Sequence, residues 1–127
     1  MQRALTREDF VWLAGSLCQL NRIPFDPGLL LQRFPAPHSQ GQFIEAVRAL
    51  GMKTGAAPLG KAPRQPCIGF LKAPVSKPAL LVRNDGSRLL YYEAGENNPR
   101  TAALAELDAL FEPELVLVRR DPAAGMR

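Results

Sequence analysis

The apolar spacing of this 127-residue chain changes character once, and that change restricts the fold more than any other feature. The first half repeats at helical intervals, whereas the second carries short apolar runs broken by turn residues. Thr6 is placed to cap a first helix, with Glu8 and Asp9 in its opening turn, where the helix dipole favours anions. Phe10, Leu13, Ala14, Leu17 and Leu20 then fall on one face, with Cys18 at its flank and Trp12 on nearly the opposite side. Asp26-Pro27 opens a second, short helix carrying Leu29, Leu30, Leu31 and Phe34, which Pro35 and Pro37 stop. Ser39 and Gln42 have capping-box spacing ahead of Phe43, Ala46, Val47 and Leu50, and Gly51 supplies the stop.

Gly55 to Pro66 is rich in Gly, Ala and Pro and reads as an irregular connection. Beyond it, Cys67 to Leu71 reads as a strand. Ala79 to Arg83 and Arg88 to Tyr92 flank Asn84-Asp85-Gly86-Ser87 and form an antiparallel hairpin. Thr101 is placed to cap a helix running to about Leu110, and Leu115 to Val118 make a last strand. Three helices followed by mainly antiparallel strands and one late helix define an α+β domain.

Composition excludes several classes. With 46% hydrophobic and 22% charged residues, the chain is not intrinsically disordered. No apolar run approaches the roughly 18 residues that span a bilayer, and no signal peptide opens the chain, so it reads as soluble and cytoplasmic. Sixteen basic against twelve acidic residues give a charge of +4, which suits an acidic partner. The basic residues are scattered and aromatics are 7%, which disfavours a small nucleic-acid-binding domain, one of the competing readings.

The chemistry is bounded by two cysteines, Cys18 and Cys67, and one histidine, His38. These are too few and too dispersed for a disulfide framework or a zinc site, so no metal or cofactor is expected. A cysteine-peptidase reading would pair Cys18 with His38. The residues favour the plainer one: Cys18 beside the buried stripe, His38 in an exposed Pro-Ala-Pro-His-Ser loop, and Cys67 in an apolar strand. Gly55 to Ala62 lacks the Ser/Thr of a phosphate-binding loop. Glu93 and Glu96 read as solvated loop carboxylates. Arg83, Arg88, Arg100, Arg119 and Arg120 are candidates for a basic patch near the hairpin, against ordinary solvation.

Several stretches carry a family pattern. Asp9-Phe-Val-Trp-Leu-Ala-Gly-Ser-Leu-Cys-Gln-Leu-Asn-Arg-Ile-Pro-Phe-Asp-Pro-Gly through Phe34, Phe43 to Lys53, Pro78-Ala-Leu-Leu-Val-Arg-Asn-Asp-Gly, Asn98-Pro-Arg100 and Ala105 to Val118 resemble the double-glycine leader peptidases. These are papain-like cysteine peptidase domains at the N-terminus of ABC exporters. The resemblance implies a papain-like fold with N-terminal helices packed on a mainly antiparallel sheet. It also locates the reactive positions. The nucleophile of the active peptidases, in an Asp-Cys-Gly at the start of the first helix, falls at Asp9 within Glu8-Asp9-Phe10. Their histidine, which opens a strand, falls at Pro78; their orienting Asp falls at Glu93-Ala94, and their oxyanion Gln near Arg3, with Gln2 one place off.

A retained scaffold with Asp9, Pro78 and Glu93 at the triad positions is similar to the peptidase-like domain of type I secretion exporters of the haemolysin-exporter type. That likeness implies a non-enzymatic domain, residues 1–119, followed by a linker, 120–127, toward a transmembrane region. It would hold an unfolded, acidic RTX-type substrate on the cytoplasmic side of the bacterial inner membrane. Its other partners would be the transmembrane and ATPase domains of the same exporter. Trp12, Arg83 and Arg88 are the candidate substrate contacts.

Overall fold

The computed structural model describes residues 3–61 and 66–122. The chain divides into two compact units, one within Met1–Thr54 and Arg119–Arg127, the other within Gly55–Val118.

The first unit holds β1 (Ala4–Leu5), α1 (Arg7–Leu20), α2 (Pro27–Arg33), β2 (His38–Ser39) and α3 (Gln40–Ala49). All three helices start where their capping residues stand. The Asp9 amide donates to Thr6 Oγ1 at 3.0 Å, those of Gly28 and Leu29 donate to Asp26 Oδ1, and that of Gln42 donates to Ser39 Oγ at 3.1 Å. Each cap satisfies amides that the first turn leaves without a helical partner. Gly51, at φ 101°, ends the run after α3 in a conformation that strains other residues. Phe10, Leu13, Ala14, Leu17, Leu30, Phe43, Ala46 and Val47 are buried as their spacing predicts.

Two expectations for this unit are corrected. Leu20 does not join the buried stripe: it is the last residue of α1 and is 49% exposed. In α2, Leu30 is buried and Leu29 exposed. The Ser39–Gln42 box closes on one side only. The Gln42 side chain turns instead to His38 and to the Pro35 carbonyl.

The remaining strands are β3 (Met52–Pro58), β4 (Cys67–Phe70), β5 (Pro78–Asn84), β6 (Arg88–Glu93), β7 (Arg100–Ala103) and β8 (Glu114–Arg120), with α4 (Leu107–Leu110) before β8. They lie in the order β3-β8-β4-β5-β6-β7. The antiparallel register pairs Ile68 with Leu80, Leu80 with Tyr92, and Leu89 with Ala102. Cys67, Ala79, Leu81, Leu89, Tyr91, Ala102 and Leu115 from the sheet form the second unit's core with Leu59, Leu71, Leu107 and Phe111. Tyr91 meets Phe111 edge to face at 5.2 Å, a favoured aromatic geometry.

Two segments depart from the sequence reading. The irregular connection from Gly55 begins as the end of β3 and a helical turn at Leu59–Lys61; its residues 62–65 lie outside the described residues. Small residues with no apolar alternation give no strand signal, and here the neighbour β8 supplies the order. The helix expected from Thr101 is a strand first. Thr101 pairs with Leu90, and a turn at Leu104–Glu106 leads into α4 only at Leu107.

Gly69 marks the tightest place in this core. A Cβ there would stand 3.1 Å from Leu81 Cδ1, 3.2 Å from Phe111 Cδ1 and 3.3 Å from Leu115 Cδ2. Gly69→Ala is therefore expected to destabilise by about 1–3 kcal/mol through overpacking. Urea denaturation should show a lower midpoint at unchanged slope; an unchanged midpoint would mean that this core repacks freely.

Candidate functional site

The three positions that the sequence resemblance assigns to a triad, Asp9, Pro78 and Glu93, are set by local structure. Asp9 occupies the first turn of α1 because Thr6 caps the helix three residues earlier, and the residue is only 7% exposed. The aligned peptide dipoles favour a carboxylate there, as they would a thiolate. Pro78 opens β5 opposite Phe70, and its carbonyl accepts the Ala94 amide at 3.0 Å. Its pyrrolidine nitrogen has no proton to give and carries no imidazole. Glu93 closes β6 opposite Ala79, so the register brings Pro78 and Glu93 to the same end of β5 and β6. Asp9 belongs to the first unit, and these two belong to the second.

Glu93 is not the solvated loop carboxylate read from the sequence. It is half-buried and faces Arg100 at 3.4 Å, while Arg100 makes a two-pronged bond to Glu96 at 2.8 and 3.1 Å. The Arg100 side-chain hydrogen bonds hold the Glu96 carboxyl below its ordinary range, and Glu96 in turn raises the Arg100 guanidinium. An acid that orients a catalytic imidazole needs a free oxygen facing that ring. Glu93 instead faces the Arg100 guanidinium.

The cysteine and histidine positions give no nucleophile–base pair. Cys18 is fully buried in α1, about 13 Å farther along the helix axis than Asp9. Burial raises its thiol pKa, and pushes that of Cys67, in β4, up to about 12. Activated thiols show the opposite shift. His38 is the larger correction, since it lies in no exposed loop. It is 6% exposed, stacked on Phe10 with ring centroids 4.2 Å apart and planes 13° from parallel. Gln42 Nε2 donates to the Pro35 carbonyl at 2.7 Å, which leaves Gln42 Oε1 to accept from His38 Nδ1 at 2.8 Å. The ring is a packing residue with its tautomer set by that amide. No signal near Pro-Ala-Pro-His-Ser announces this, because Phe10 lies far away in sequence.

The candidate substrate contacts fall in both units. Trp12 is half-buried on α1. Arg83 and Arg88 are exposed on the β5–β6 hairpin, opposite Leu90 and Ala103. The intervening turn is rigid: Asp85 accepts the amides of Arg88 and Ser87 and the Ser87 hydroxyl, and these bonds lower its pKa. The five candidate patch arginines differ in their surroundings. Arg100 is engaged by two glutamates, and Arg119 and Arg120 belong to the other unit. Gln2 lies outside the described residues; Arg3 is exposed, and its carbonyl accepts the Gln40 amide. Among the described residues, no three of His, Cys, Asp and Glu converge as a metal site would require, and no helix is long and apolar enough to cross a membrane.

No protein-family model and no curated protein matches the sequence. Solved structures do match. The N-terminal peptidase C39-like domain of a toxin secretion ATP-binding protein from Vibrio parahaemolyticus is 14% identical, with a TM-score of 0.68 over 92% of this chain and 98% of that one. The peptidase domain of Streptococcus ComA, a bifunctional ABC transporter of a quorum-sensing pathway, is 9% identical, with a TM-score of 0.72 over 94% and 98%. A double-glycine-motif protease of a PCAT transporter, solved with its leader peptide, is 11% identical, with a TM-score of 0.72 over 94% and 89%. The chain thus has the mixed helix and antiparallel-sheet fold of the peptidase C39-like domains of ABC transporters.

Proposed function

We propose that this chain is a catalytically inactive, peptidase-like domain of a type I secretion ABC transporter, which tethers an unfolded, acidic RTX-type protein for export. The proposal rests on a C39-like fold in which Asp9 and Pro78 stand where the sequence resemblance puts the nucleophile and the histidine. Asp9 stands in the first turn of α1, and Pro78 opens β5. Thiol attack on a peptide carbonyl needs a thiolate and an imidazole base. A carboxylate and a pyrrolidine ring supply neither. On this reading residues 1–119 are the domain and 120–127 a linker. The transmembrane and ATPase domains of the exporter are its other partners, at the cytoplasmic face of the inner membrane.

The tether is electrostatic and weak by design. A calcium-free Asp-rich chain is anionic and unfolded, and the net charge of +4 attracts it. Ordering a flexible chain costs much of the contact energy, so the affinity is expected to be about micromolar or weaker. NMR titration with an RTX-type fragment tests this. Shifts are expected around Trp12, Arg83 and Arg88, fading as salt is raised to about 0.5 M and vanishing when calcium folds the fragment. No cleavage of a double-glycine leader peptide is expected. Turnover that disappears in Cys18→Ala, or equal binding to calcium-folded and unfolded fragments, would overturn the proposal.

A further inference from the structure

The positive charge is divided unequally between the two units. The first carries nine basic and five acidic residues, whereas the second carries seven of each. Part of this charge lies around the residues that follow α1 and α3. Asn21, which caps the C-terminus of α1, accepts the Arg120 amide on Oδ1 at 3.0 Å and is approached by Arg120 Nη1 at 3.4 Å through its carbonyl. Its side-chain amide reaches the Leu17 carbonyl and Met52 Sδ. Beside it the Asp121 amide donates to the Gly51 carbonyl, Lys53 pairs with Asp121 at 3.8 Å, and Arg48 Nε donates to Thr54 Oγ1 at 3.0 Å. This knot holds Arg48, Lys53 and Arg120 with the acid Asp121, and Arg22 adjoins Asn21 in the chain.

Complementing helix dipoles accounts for part of this set, since Arg22 and Arg48 stand at or just beyond the C-terminal ends of α1 and α3. It does not account for Arg120 at the end of a strand. Nor does it account for Leu20, 49% exposed beside Asn21 and Arg22. An Asp-rich, unfolded polypeptide is poor in apolar side chains for that leucine. An anionic bilayer surface offers both things this face presents partners for: phosphate charge for the arginines and acyl chain for the leucine.

We propose that the Leu20–Arg22–Arg120 face of the first unit docks on anionic phospholipid headgroups. The hairpin arginines Arg83 and Arg88 belong to the second unit and form no part of this face. Each basic residue held near such a surface contributes about a fivefold gain in partitioning.

The test is co-sedimentation of the 127-residue chain with vesicles of phosphatidylcholine alone or with about one third phosphatidylglycerol, at about 0.1 M salt. Binding is expected only with phosphatidylglycerol, and it should fade at high salt. The double variant Arg22→Asn, Arg120→Gln should partition about 25-fold less. Asn suits the positive φ of 56° at position 22, so this variant keeps the fold. Leu20→Ser should weaken binding severalfold without altering its salt dependence, and Arg83→Gln with Arg88→Gln should leave it unchanged. Equal binding to both vesicles, full binding by the double variant, or loss of binding in the hairpin variant overturns the assignment. So does a wild-type chain that ignores vesicles and binds polyaspartate through these two arginines, which would give the face to an acidic polypeptide.

Discussion

Both thiols of the native protein should react with a disulfide reagent at least about a thousandfold more slowly than in the denatured chain. Cys18 is fully buried and Cys67 is 1% exposed, so reagent reaches either sulfur only through an opening of the fold. Openings that expose core residues cost up to the global stability, about 5 kcal/mol or more for a domain of this size, and each 1.4 kcal/mol slows labelling tenfold. The thiolate is the reacting species, and burial disfavours it at both sites, lifting Cys67 from 9.0 to about 12. A raised thiol pKa means that the folded state prefers the neutral form. Its contribution to stability is therefore complete below about pH 9 and is lost as pH climbs toward 12. Labelling of Cys67 should accordingly steepen with pH through that alkaline window. Stopped labelling at pH 8 with and without denaturant, read for Cys18→Ala and Cys67→Ala separately, measures each site. A fast native thiol at Cys18 would reopen the peptidase reading, because an accessible thiolate is that reading's first requirement.

How far the sequence could be read depended on how local the determinant was. Thr6, Asp26 and Ser39 announce their helices because a cap and its amides lie within three residues, and all three bonds form. The β5–β6 hairpin was equally legible, since its turn residues Asn84, Asp85 and Gly86 hold the reversal with their own side chains and a positive φ. Segments ordered by a distant partner were not. Gly55 to Pro58 become strand in the sheet beside β8, and Thr101 to Ala103 become strand because β6 offers a pairing edge. In both cases pairing across the sheet overrode a composition that favours loop or helix. The burial of Pro78 and the engagement of Glu93 by Arg100 follow from the same sheet register, which no local pattern encodes.

The site shows the same division. Asp9 could be placed from the Thr6 cap alone, and Pro78 from the run Pro-Ala-Leu-Leu-Val that makes β5. His38 could not, because its burial is made by residues from two other helices. Its ring lies on Phe10 of α1 and its Nδ1 bonds to Gln42 of α3. That arrangement turns the chain's only histidine from a candidate base into part of the core.

The weight resting on that core sets the second large effect. Phe10→Ala should lower the unfolding free energy by about 3–5 kcal/mol, the range for deleting a fully buried phenyl ring. Phe10 is 0% exposed, stacks face to face with His38 and meets Phe43 edge-on at 6.2 Å. It thus ties α1 to β2 and α3 at once, and β2 is itself only two residues long, paired with β1 through Leu5 and His38. Losing the ring leaves the imidazole with no face to lie on and a cavity that the short β1–β2 pair is poorly able to close. The melting temperature should fall on the order of 10–20 °C at this chain length. Phe10→Leu should recover much of the loss by refilling volume, but not the stacking. A double-mutant cycle of Phe10→Leu with His38→Ala should therefore return a coupling of about 0.5–1.5 kcal/mol. A loss below about 1 kcal/mol for Phe10→Ala would show that the helices are held by the remaining leucines, and that the His38–Phe10 stack is incidental to the scaffold presenting Asp9.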